Sequence, residues 1–423
     1  MNAGDTAWVL GSAALVMFMT PGLALFYGGM VRAKSVLNTM ALTVACLGVV
    51  SVIWVLYGYT LAFGKDAGAG LIGDINQAGL HGLATTLTGS QGHRIPVFAL
   101  ASFQLMFAII TVALLAGAVA ERTRFWPWLV FVIAWVTVVY LPLAHWVFDP
   151  SGWMVSRLHL LDFAGGTAVE VDSGAASLAL VLVVGKRLGW PREAPRPHNL
   201  PSVMLGAGIL WFGWFGFNAG SALAADGLAA TAFLNTMLAG GTGLLGWLLV
   251  EQRRDGKPTT LGAASGVVAG LVGITPACGF VEPVGAAAIG LIAGAIAALA
   301  VGLKYRLGYD DSLDVVAVHG IGGLTGLLAT GLLATTAVNA AGANGLLYGG
   351  GFVQLGRQAL AALVTIAWSA GLTLAIAWVV DKAIGLRAAP EVELAGIDEA
   401  EHAETGYDHG PSAGTGRPHA LRV

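Results

Sequence analysis

The chain has 423 residues, 56% of them hydrophobic and 11% charged, with 61 glycines and a formal net charge of -3. This composition excludes an ordinary soluble domain, and basic residues scattered between apolar stretches leave no electrostatic footprint for nucleic acid. The two cysteines, Cys46 and Cys278, sit in apolar segments without metal-ligand or disulfide spacing, so they read as small core residues, with no metal or redox cofactor expected.

Taken in chain order, windows of about 19 mostly apolar residues predict eleven spans, approximately 7–28, 39–63, 96–120, 126–148, 163–185, 201–223, 228–250, 260–278, 284–305, 315–336 and 358–384. Each is long enough to cross a hydrocarbon core, so the fold class is an all-α polytopic membrane protein. No basic residue precedes Arg32, so the first segment lacks the charged region of a signal peptide and reads as a span.

If the spans alternate, one set of loops holds Arg32, Lys34, Arg122, Arg124, Lys186, Arg187, Arg192, Arg196, Arg253, Arg254, Lys257, Lys304, Arg306, Lys382, Arg387, Arg417 and Arg422, 17 of the 21 Lys and Arg residues. The other set holds Lys65, Arg94, Arg157 and Arg357. The positive-inside rule then puts the first set in the cytoplasm, the N-terminus outside and the C-terminus inside. Domain organisation follows: residues 1–386 form the membrane domain, and 387–423 an acidic polar tail with Glu391, Glu393, Asp398, Glu399, Glu401, Glu404 and Asp408, expected to be flexible until bound. Gly262, Gly266 and Gly270 in the eighth span, and Gly290, Gly294 and Ala298 in the ninth, form flat faces for close helix packing.

Few ionisable residues fall deep in a span. Glu170 lies eight residues from Asp162 in the fifth and His319 eight from Asp311 in the tenth, each about 12 Å along a helix axis. The two spans run in opposite directions and place titratable groups at matching depth, the pattern of an inverted repeat with its site at the repeat interface. A membrane histidine is as often simply bonded to a neighbouring helix, but a buried carboxylate is costly unless paired or neutralised. His319 is the best available partner for Glu170. Asp172 projects about 200° around the helix from Glu170 and is expected to cap or bond within the bundle rather than touch substrate.

Aromatic side chains add a direction. Phe103 and Phe107 are one turn apart in the third span, Phe148 ends the fourth, and "WFGWFGFNAGS" carries Trp214, Phe217 and Ser221 in the sixth. Such rings attract a small cation and Ser221 offers an acceptor, although aromatic residues at this spacing also serve as core or interfacial belt. An enzyme is not expected, since HExxH, GxSxG with a partner and a nucleotide loop are all missing from the sequence.

The segments "MTPGLALFYGGMVRAKSVLN", "FAIITVALLAGAVAERTRF", "DFAGGT", "RPHNLP", "GWFGFNAGSA", "GLVGITPACG" and "DDSLDVVAVHGIGGLTG" resemble, in order, the ammonium transporter family of the Amt/Mep/Rh superfamily, from Thr6 to about Tyr407. The resemblance implies eleven helices with two inverted five-helix repeats, a homotrimer, and one pore per subunit for ammonium or methylammonium. It further implies recruitment at Phe107, Phe148, Ser221 and neighbouring Trp214, a stacked gate of Phe107 and Phe217, a pore pair of Glu170 and His319, and support of the recruitment site by Asp162 as a helix cap. It implies no cofactor, and a tail open to a PII-type signal protein. Rival readings are an ammonium sensor signalling through its tail and an Rh-like conduit for neutral gas. Two departures stand out: Phe148 replaces the usual recruitment tryptophan, a role Trp146 or Trp153 would have to take over, and Glu170 replaces the first pore histidine, as in some fungal members.

Overall fold

The structure is a computed structural model that describes residues 1–192 and 196–407. Asp408, Arg417, Arg422 and the rest of the predicted tail past residue 407 lie outside the described residues. Among those described, ten helices are long and apolar enough to cross a membrane, and a shorter apolar helix stands where the eighth span was expected.

The eleven are α1 (Ala3–Met30), α2 (Ala33–Phe63), α3 (Val97–Ala118), α4 (Phe125–Ser156, turning at 149–152), α5 (Gly166–Val184), α6 (Leu200–Gly220), α7 (Gly227–Arg254), α8 (Thr260–Ile274), α9 (Pro283–Leu307), α10 (Val316–Leu333) and α11 (Val353–Ile384). Helix α8 stops before the predicted 278 because Pro276 supplies no amide hydrogen, and Thr275 and Ala277 close a tighter turn on the carbonyls of Val272 and Ile274. Helix α11 starts ahead of the predicted 358 because its polar first turn is buried. There Gln354 donates to the His159 carbonyl and Gln358 to that of Leu161, so polarity that reads as loop belongs to an interior helix.

Both predicted glycine faces are used, and both grip α7. A Cβ on Gly270 or Gly290 would collide with the carbonyl oxygen of Ala239, and one on Gly294 with that of Gly243. The backbones of α8 and α9 therefore lie directly against α7.

Helices α5 and α10 carry the closest correspondence between the two halves. Each opens with a π-helical turn, Gly166–Val171 and Val316–Ile321, and each is capped by the aspartate predicted as its depth marker. The Asp162 carboxylate accepts from the amides of Gly165, Gly166 and Thr167 at 2.8, 2.7 and 2.7 Å; Asp311 accepts from Val316 at 2.7 Å. Burial raises the Asp162 carboxyl above its ordinary range in spite of these three donors. The matched caps and turns follow the inverted repeat expected from the sequence.

The described part of the tail is docked, which corrects the expectation of a flexible segment. It forms α12 (Pro390–Ala395) and α13 (Ile397–His402). Two of its acids meet amides that helix starts leave open: Asp398 accepts from Leu37 and Asn38 at 3.0 and 2.9 Å and Glu401 from Phe125 at 3.0 Å, while Glu393 accepts from Leu188, in the turn after α5, at 2.6 Å.

Candidate functional site

Where α5 crosses α10 the two backbones almost touch. A Cβ on Gly174 would strike the Cα of Gly320, and one on Gly323 would meet the Glu170 side chain. Only glycine permits this approach. It carries the Glu170 carboxylate Oε2 to 2.6 Å from Nδ1 of His319, with Glu170 1% and His319 4% exposed. The Nδ1 contact leaves Nε2 of His319 without a hydrogen-bond partner among the described residues. With Glu170 as the carboxylate, Nδ1 carries the hydrogen and Nε2 presents a lone pair.

The pair lines a narrow cavity whose wall includes Met19, Leu23, Tyr27, Trp214, Phe217 and Ser265. Its volume is about 20 Å³, room for one molecule the size of water. One end is closed by rings: Phe107 and Phe217 stack with centroids 4.2 Å apart at 21°, Phe103 meets Phe107 edge-on at 4.9 Å, and Phe148 meets it edge-on at 5.9 Å. Beyond Phe148 lies a separate, wider cavity of about 400 Å³.

Of the remaining candidates, Phe148 lines the wider space and Trp214 the narrow one, while Ser221 lines neither. Trp214 lies on the narrow-cavity side of the stacked rings, its Nε1 donating to Thr275 at 3.0 Å, so it does not join Phe148 in the wider space. The Ser221 hydroxyl donates to the Phe217 carbonyl at 2.8 Å, beside the stack. Neither Trp146 nor Trp153 lines the cavity that Phe148 does. Trp146 is committed elsewhere, donating to the Leu71 carbonyl at 2.7 Å and packing on Trp368 at 4.9 Å. The Asp172 side chain neither caps nor bonds as expected: both carboxylate oxygens are buried without a hydrogen-bond partner among the described residues, and only its carbonyl accepts, from Ser369 at 2.8 Å. The residue keeps the α5–α11 contact through its backbone.

Sequence reasoning missed Tyr27, whose hydroxyl donates to the Leu114 carbonyl at 3.0 Å while its ring walls the narrow cavity. It also missed the crossing glycines. The run Gly320, Gly322, Gly323 beside His319 was the available signal.

A model described as Ammonium Transporter Family matches residues 7–407. The chain belongs to that family. It is 53% identical to an ammonium transporter of Mycobacterium bovis, the match covering 100% of this chain and 94% of the relative. With an ammonium transporter of Bacillus subtilis it shares 47% identity over 96% of this chain and 99% of the relative. The crystal structure of Saccharomyces cerevisiae Mep2 superimposes with a TM-score of 0.84 at 35% identity, covering 92% of this chain and 88% of that one. A multi-pass membrane protein of this family is thus established by length, composition and relatedness together.

Proposed function

We propose that the protein moves ammonium across the membrane, with Phe107, Phe148 and Ser221 receiving the cation, Phe107 and Phe217 closing the pore behind it, and Glu170 with His319 handling its charge. The observation that carries this reading is the 2.6 Å Glu170–His319 contact inside a cavity the size of one small molecule, closed at one end by stacked rings. A bare cation entering so apolar a space loses its hydration at a cost that must be met locally. The Glu170 carboxylate meets it by taking a proton: an N–H bond of ammonium breaks, an O–H bond forms, and neutral ammonia of nearly the size of water continues. The new O–H forms on Oε1, since His319 Nδ1 already donates its own hydrogen to Oε2, and the free Nε2 of His319 accepts a hydrogen bond from the departing ammonia. The proton left on Glu170 has to leave toward the cytoplasm separately from ammonia before the carboxylate can act again, so each ammonia is accompanied by one proton and transport through this pair carries net charge.

The Lys and Arg asymmetry supports an orientation with the Phe148 face outside and the face of Glu121 and the tail in the cytoplasm, in a bacterial-type inner membrane. Family membership supports a homotrimer. Residues 387–423 serve as a regulatory tail open to a PII-type protein, apart from the membrane domain of 1–386.

The test is solid-supported-membrane current in proteoliposomes. Wild type should give ammonium currents, and Glu170→Ala and His319→Ala should lower them at least about tenfold, the scale of 1.4 kcal/mol of lost barrier stabilisation. Full, pH-independent currents in Glu170→Ala would remove this residue from the mechanism.

A further inference from the structure

The wide cavity beyond Phe148 has more room than ammonium uses. At about 400 Å³ it falls in the size range of small-molecule pockets and is some twenty times the volume of the pore cavity. Its wall brings together Tyr59, Phe63, Phe148, Asp149 and Gln104. Tyr59 and Phe63 stack at 5.7 Å, and Asp149 lies within electrostatic reach of Tyr59. Gln104 is 7% exposed, and its Oε1 is buried without a hydrogen-bond partner among the described residues. Among those residues no lysine or arginine lines the space; its one basic side chain, His93, is paired with Asp5 at 2.9 Å.

Three aromatic residues and an acid around a roomy pocket with no lysine or arginine among its described lining are the chemistry of a cation cage. Ammonium would rattle in it. An aromatic cage of this kind suits a methylated ammonium, whose diffuse charge is carried on C–H groups that contact ring faces.

We propose that this cavity is a binding site for small quaternary ammonium ions, of the tetramethylammonium or choline-headgroup class, which occupy the outer mouth and compete with ammonium. Such an ion is too large for the pore cavity behind Phe107 and Phe217, which at about 20 Å³ has room for one molecule the size of water, so it binds without being carried. The binding itself stands on the cavity alone; the competition rests on the proposed transport reading.

The experiment is calorimetric titration of the full-length protein in nanodiscs with tetramethylammonium chloride, against sodium chloride as control. Saturable binding is expected, weakened about tenfold in Asp149→Asn and in Phe63→Leu. Asp149→Asn keeps the acceptor that binds Ser151 at 2.8 Å, so its turn is preserved and a loss reports on charge. In the same proteoliposome assay, tetramethylammonium should raise the ammonium concentration giving half-maximal current. No saturable binding, or binding unchanged in both variants, overturns the proposal. Binding that follows the variants in a wild type showing no ammonium current would leave the cage standing and the transport reading fallen; ammonium current without tetramethylammonium binding would do the reverse.

Discussion

Glu170 shows how much one side chain asks of its surroundings. It is buried with 1% exposure, and its partner is the imidazole of His319 on a helix from the other half of the chain. Because no lysine or arginine among the described residues lines the cavity they share, charge on the carboxylate is balanced by the imidazole proton or by the permeant. This gives a sharper test than truncation. Glu170→Gln keeps the side-chain length and an acceptor for Nδ1, but it cannot take a proton at that oxygen. Ammonium current in Glu170→Gln should fall at least about tenfold while the purified protein melts near wild type, both read on the same preparation. Equal currents would mean that the carboxylate only holds His319 in place. The pair was legible in sequence because both residues stand eight positions from an aspartate at the start of a span. Asp172 was not: its direction around the helix could be calculated, but not that the elements facing it would leave both its oxygens unpaired.

The elements that deliver the pair are α5 and α10, and two features set their geometry. The first is the cap: Asp162 holds three successive amides at the start of α5. Removing one such cap costs about 0.5–2 kcal/mol, and here the released turn leads directly to Glu170. Asp162→Ala should therefore lower thermal stability modestly but ammonium current severely, whereas Asp162→Asn, which retains an acceptor, should fall between. A current that tracks stability alone in both variants would make the cap purely structural. The second is the crossing, where any Cβ on Gly174 meets the backbone of Gly320. Gly174→Val forces the helices apart, at about 1–3 kcal/mol or more for overpacking, and should abolish current even in the fraction that still folds. Thermal unfolding and current on purified protein check it. Hydropathy read these helices well because their length is imposed by the bilayer. It misjudged the end of α8 and the start of α11, where a proline and buried glutamines follow local backbone needs instead of the apolar count. The run Gly320, Gly322, Gly323 marked one side of the crossing, but its partner Gly174 could not be assigned, because glycines five spans apart meet only after folding.

At the scale of the whole molecule, the face opposite Phe148 is tied by a charge network that links the tail to the helical bundle. Glu121, its side chain fully buried, takes Arg32 and Arg187 at 2.8 Å each, and Arg187 takes Asp310 at 2.8 Å. Arg32 also donates to the carbonyl of Glu393, whose carboxylate holds Arg387 at 2.8 Å. Nothing in the sequence pairs these residues, which lie as far as 361 positions apart; only the excess of charge on one set of loops was readable. Asp398, which caps the start of the helical run at Leu37 and Asn38, is the direct anchor of α13. Asp398→Ala should release the tail by about 0.5–2 kcal/mol, seen as faster hydrogen exchange at those two amides and earlier proteolysis past Ala388, with the membrane domain unchanged.

The same network sets how docking responds to acid. Burial pushes the Glu121 carboxyl up, but Arg187 and Arg32 outweigh it and hold it below its ordinary value; Asp310 is likewise raised by burial and brought below its ordinary value by Arg187 and Arg122. A carboxyl lowered in the folded state adds stability that is fully present above its unfolded value, about 4.3 for glutamate and 3.9 for aspartate. That contribution is lost as pH falls through the lower folded-state values. Tail docking should therefore be flat from pH 8 to about 5 and weaken below about 4, because protonating Glu121 takes the counter-charge from Arg32 and leaves Arg187 with Asp310 alone. Exchange protection at Leu37, Asn38 and Leu188, measured at stepped pH and corrected for intrinsic rates, follows this directly. Glu121→Gln removes the same counter-charge at neutral pH, so it should show at pH 7 the loosening that wild type reaches only in acid. Loosening of wild type already near pH 6 would assign control to a histidine instead, with His402, which contacts Asn38 at 3.0 Å, and His198, bonded to Tyr407 at 2.7 Å, as the groups on the tail contact to substitute next.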